Sequence, residues 1–155
     1  MTSQTVASTH TNREGYHWTD HLKLRSLTWW TWAAFAVLLG LAMCGITELR
    51  HVVLFLASIL AAAYFMRHRS LSHFPTQVRV AYFLWMAASF IPQLVPMFWI
   101  QSAGTISLVL FGYCPMARSL LLLPFNRTVP LSPQRVMKII FHPPTAGSVK
   151  EDLAI

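Results

Sequence analysis

The sequence predicts an all-α fold: an integral membrane four-helix protein built from two helical hairpins, with a short amphipathic C-terminal helix. Three observations carry this expectation. Hydrophobic residues make up 55% of the 155 residues and charged residues only 11%, where a soluble domain carries about 25% charge. Four apolar runs occupy 27–46, 51–66, 80–100 and 103–123. Basic residues collect at alternate ends of those runs, as topology determinants do.

The first run holds 27–46 (LTWWTWAAFAVLLGLAMCGI) without a charge. That is about the length needed to cross a ~30 Å hydrocarbon core. Trp29, Trp30 and Trp32 cluster at its start, which suits an interfacial anchor. The charged turn 47–50 (TELR) leads to the second run, 51–66. This run is the shortest and reaches across only if Arg67, His68 and Arg69 snorkel or the bilayer thins. Its Ala-rich composition suits close helix packing in lipid. The basic segment 67–79 follows, and Pro75 is expected to break any helix there. The third run, 80–100, carries Pro92 and Pro96, so it is expected to kink or to end near Ile91. In the fourth, 103–123, the span is expected to last to about Tyr113. A new helical turn then begins at Pro115 and lies near the interface. Arg118 belongs at an edge, because an Arg at the bilayer centre costs ~2.5–3.5 kcal/mol.

Charge placement predicts orientation. Lys23 and Arg25, then Arg67, Arg69 and Arg79, then Arg127, Arg135, Lys138 and Lys150 fall on one side. The other side has Arg50 beside Glu48. The positive-inside bias places both termini in the cytoplasm. The organisation is a polar N-terminal segment (1–25), a four-helix transmembrane domain (26–126) and a cytoplasmic tail with an interfacial helix (127–155). The first residues lack the apolar core of a cleavable signal peptide, so the first run is expected to be a retained helix. In the tail, Ser132-Pro133 is a helix start, and Val136, Ile139 and Ile140 share one face, with Arg135 and Lys138 toward the other. This suits an anionic membrane surface or a partner subunit.

The net charge of +7 follows the membrane topology and does not argue for nucleic acid. No intramembrane Asp or Glu is present for a proton relay, and no catalytic motif or phosphate loop occurs. The chain is not expected to be an enzyme, and no cofactor or metal is assigned. His17 and His21 are spaced i, i+4, but two ligands fall short of a closed metal site. His51 and His68 read as interfacial polarity at the ends of the second helix. Cys44 and Cys114 are expected on opposite membrane faces, so no intrachain disulfide is expected. Cys114 precedes Pro115, with Arg118 four residues on. A thiol at a helix N-terminus beside a cation is a candidate reactive group, the alternative being a buried structural cysteine. Asn126-Arg127-Thr128 matches a glycosylation acceptor, but on the cytoplasmic side it is without consequence.

One stretch resembles a known family. Arg79 precedes a helical hairpin. Gly112-Tyr113-Cys114-Pro115-Met116-Ala117-Arg118 closes it, and Leu123-Pro124-Phe125-Asn126-Arg127 follows. In this order the elements resemble the small bacterial inner-membrane domain of unknown function that often follows a rhodanese domain. The resemblance covers 79–127. It departs in having Phe125 where the family usually has Trp, in the extra hairpin upstream and in the missing rhodanese domain. It implies the hairpin fold, and no sulfurtransferase activity carries over. The candidate functional or docking segment is therefore Cys114, Pro115, Arg118, Asn126 and Arg127.

The functional expectation is a non-catalytic accessory or scaffold subunit of a larger complex in a bacterial inner membrane. It would contact lipid and either other membrane subunits or a second copy of itself. Two alternatives stand beside it: a small sulfur-anion channel or carrier using Cys114 and Arg118, and a pigment- or haem-binding membrane protein.

Overall fold

The structure is a computed structural model describing residues 27–71, 73–126 and 132–141. The N-terminal histidines, Lys23, Arg25, Arg127 and Lys150 lie outside the described residues. Regular structure among the described residues is entirely helical. The elements are α1 (Leu27–Met43), α2 (Leu49–His68), α3 (Phe74–Ala88), α4 (Pro96–Phe111), α5 (Pro115–Leu121) and α6 (Pro133–Phe141). Short 3-10 turns stand at Pro92–Leu94 and Pro124–Asn126.

Four helices close a ring. α1 packs on α2, α2 on α3, α3 on α4, and α4 returns to α1. Short connections make neighbours antiparallel. α5 leans on α3, and α6 rests on α5. The core joins Phe35, Leu39 and Ala42 of α1 to Val53 and Ala57 of α2, Tyr82 and Met86 of α3 and Phe98 of α4. Trp32, Phe35 and Tyr82 stack and tilt against one another with ring centroids 5.1–5.9 Å apart.

The element boundaries differ from the expected ones, for local reasons. α1 stops at Met43 because Gly45, at φ +112°, turns the chain. α2, expected to be the shortest span, is the longest helix among the described residues. Leu49-Arg50 and Arg67-His68 are helical too, giving 20 residues, about 30 Å. Pro75 does not break a helix. It opens α3 from the first turn, where its missing N–H leaves nothing unpaired. The third run is divided at 89–95: α3 ends at Ala88, and α4 starts at Pro96. Ser89 Oγ donates to the Met86 carbonyl at 2.6 Å, and Pro92 opens the 3-10 turn. The second half of the third run therefore belongs to α4, and 101–102 is helical. Trp85 Nε1 bridges this junction to the Met97 carbonyl at 3.0 Å.

α2 alone, among the described helices, is long and apolar enough to cross a bilayer. α1 is apolar but has 17 residues, and α4 with α5 passes only as one span bent by 99°.

Two helices expose large apolar side chains, and α4 also buries polar ones. α2 turns Val53, Ala57 and Ala61 inward, small residues at i, i+4 and i+8, and leaves Val52, Phe55, Leu56, Ile59 and Met66 exposed. α4 buries Phe98, Gln101, Ser102 and Thr105, while Trp99, Ile100, Leu110 and Phe111 are exposed. Small residues let helix backbones approach in lipid, and polar side chains find partners inside the bundle.

Candidate functional site

The segment singled out by sequence folds into one corner. α4 ends at Gly112, whose φ of +68° places it in the left-handed region that glycine tolerates. Its N–H donates to the Leu108 carbonyl at 3.0 Å. Cys114 is extended and caps α5: its Sγ accepts the Ala117 N–H at 3.4 Å. Pro115 occupies the first turn of α5. Its ring lies beside Gly104, where an added Cβ would meet Pro115 Cγ at 3.4 Å. A sharp bend thus brings α5 back onto the bundle.

Arg118 is 1% exposed. Its Nη1 donates to the Ile139 carbonyl at 2.7 Å and the Ile140 carbonyl at 3.3 Å. The guanidinium also lies 4.4 Å from the Tyr113 ring centroid, and Tyr113 Oη donates to Ile140 O at 3.0 Å. These carbonyls belong to the last turn of α6, the negative end of its dipole, where a cation is favoured. Arg118 and Tyr113 thus tether α6. An anion path through Arg118 has to displace those carbonyls first.

Asn126 is 4% exposed. Its Nδ2 donates to Gln77 Oε1 at 2.6 Å and to the Leu120 carbonyl at 2.9 Å. Gln77 sits in the first turns of α3, so the clasp joins the end of the corner to the start of the second hairpin. The structure brings Cys114, Pro115, Arg118 and Asn126 together as a framework. Arg127 lies outside the described residues.

Cys114 lies between α4 and α5. Burial pushes its thiol above the ordinary value, against the opposing pull of the Ala117 and Met116 amides and Arg118. Cys114 is half-buried, and desolvation there outweighs the contacts that favour a thiolate. Both cysteines are free, with Cys44 exposed at the opposite end of the bundle. The rings of His68 and His73 stack at 4.0 Å where α2 meets α3, and Arg79 covers Tyr64 at 3.5 Å nearby. At the other end, Arg50 donates to the Ser89 carbonyl at 2.8 Å and lies over the Phe90 and Phe98 rings. Among the described residues no three His, Cys, Asp or Glu side chains gather as metal ligands.

Sequence reading missed a second polar cluster, inside the bundle. Tyr82, Gln101 and Thr105 are each at most 5% exposed. Thr105 Oγ1 lies 3.4 Å from Tyr82 Oη and donates to the Gln101 carbonyl at 2.8 Å. The Gln101 amide also bonds the Tyr82 hydroxyl. The signal was present as Gln101, Ser102 and Thr105 at i, i+1 and i+4, but the expected break between the third and fourth runs hid it. The three side chains line a pocket of about 220 Å³ between α3 and α4, closed below by α5. Comparison of the chain with protein-family models, with curated proteins and with solved structures gives no match.

Proposed function

We propose that this chain is a non-catalytic accessory or scaffold subunit of a larger membrane protein complex. In this reading the bundle spans a bacterial inner membrane four times, with both termini cytoplasmic. The observation that carries it is the apolar exterior of α2 and α4, together with the polar inner face of α4. Large apolar side chains cover their outer faces, while Gln101, Ser102 and Thr105 point inward. Exposed apolar faces of this extent mark lipid or partner contact. A second observation supports the non-catalytic part. The buried polar groups of the corner, Arg118 and Asn126, bond carbonyls and an amide of the same chain.

α3 and α4 are shorter than a free-standing span, and a partner or a locally thinned bilayer accommodates short helices at modest cost. Extraction from native membranes in a gentle detergent tests the proposal. The expected result is migration with larger subunits that mass spectrometry identifies. A species that runs alone as a monomer would sink it.

A further inference from the structure

We propose that the pocket between α3 and α4 is a binding site for a lipid-soluble ring compound bearing a carbonyl, of the isoprenoid-quinone class. The pocket is walled by Trp32, Tyr82, Trp85, Gln101, Thr105 and Leu108. At about 220 Å³ it exceeds the ~150 Å³ cavity that takes up a benzene ring, so it has room for a substituted single ring. The indoles of Trp32 and Trp85 give the wall an aromatic character that suits a flat ring. Gly104 and Pro115, packed against each other, form the part of its wall where α4 faces the bend. Ile100 and Pro115, also on its wall, are exposed, so the pocket communicates with the outside of the bundle.

Its polar wall selects the ligand. Thr105 has one hydroxyl proton, and the Gln101 carbonyl takes it at 2.8 Å. The Tyr82 hydroxyl has one donor, and the Gln101 amide has two donors and two acceptor sites. Their mutual bond and the long 3.4 Å contact to Thr105 leave amide capacity over in a wall that is mostly apolar. An unfilled donor in such surroundings is costly, and a carbonyl oxygen on an apolar ring fills it. A plain hydrocarbon or acyl chain does not. The site is independent of the accessory role, since it lies within one chain.

The test titrates the full chain, purified in detergent, with a decyl-substituted 1,4-benzoquinone and reads tryptophan quenching. Saturable one-to-one quenching is expected, with affinity about tenfold weaker in Gln101→Leu, the loss of one buried hydrogen bond. Ser58→Ala, outside the pocket, should leave it unchanged. Because Gln101→Leu also alters packing, the wild-type chain is further challenged with decylbenzene, which has the same tail without the carbonyls. Decylbenzene should fail to displace the quinone. Displacement at equal concentration, quenching that rises linearly without saturation, or unchanged affinity in a folded Gln101→Leu chain would each overturn the proposal.

Discussion

Asn126 and Arg118 both hold their neighbours by donating hydrogen bonds, and each yields a measurable expectation. Asn126→Ala leaves Gln77 Oε1 buried without its donor, a loss of about 1–3 kcal/mol. It should appear as a lower midpoint in thermal unfolding in detergent, whereas Ser58→Ala should not shift it. Arg118→Met removes charged donors from the Ile139 and Ile140 carbonyls, worth about 1.5–3 kcal/mol. The effect should be local. Amide exchange in Pro133–Phe141 should accelerate while the amides of α2 remain protected. Cys114 should react more slowly with a maleimide than the exposed Cys44 at neutral pH. Raising the pH should increase its rate later than for an ordinary thiol, because burial favours the protonated form. Mass spectrometry of the labelled chain reads this; equal rates at both cysteines would mean an open corner. At this scale the sequence located the corner but not its contacts. The spacing of Cys114, Pro115 and Arg118 announces a helix start. That Arg118 reaches the end of α6, or Asn126 reaches Gln77, depends on how α5 folds back, and no local pattern encodes it.

Helix ends were the least legible feature, and prolines explain why. Pro75, Pro92, Pro96 and Pro115 all stand at or near helix starts. A proline reads as a stop or as a first-turn residue depending on which side the helix lies. Reading Pro75 as a break postponed α3 to 80; the kink or end expected near Ile91 falls within the turn at 89–95, but the joining of 96–100 to the fourth helix was not foreseen. Pro115 and Pro133 were read correctly because an N-cap, Cys114 or Ser132, precedes each; Ser132 Oγ accepts the Arg135 N–H at 3.2 Å. Two stretches of related sequence, 63–71 (AYFMRHRSL) and 112–120 (GYCPMARSL), fold differently. The first stretch stays helical to His68, whereas the second breaks at Gly112. That break gives a prediction for the element. Gly112→Ala places a Cβ in the left-handed region, costing roughly 1–2 kcal/mol. Thermal unfolding should register a drop of that size, and no change would mean that the α4 cap is not held at positive φ.

For the whole molecule, composition foretold helices and a shortage of surface charge, and both are present. Among the described helices only α2 is by itself long and apolar enough to span, so the proposal of four spans rests on surface polarity and on charge placement rather than on helix length. Leu41, Phe55, Trp99 and Phe111 face outward, and Gln101 and Thr105 face in. In water that arrangement exposes the wrong groups; in lipid it is the favourable one. The central claim is the pairing of two hairpins with both ends on the basic side. Spheroplasts expressing single-cysteine chains test it most directly, using a membrane-impermeant maleimide. In Cys114→Ser, Cys44 should label in intact spheroplasts. In a chain lacking both native cysteines, Leu71→Cys, in the α2–α3 connection, should label only after permeabilisation. Labelling of both positions in intact spheroplasts, or the reverse pattern, would contradict the account.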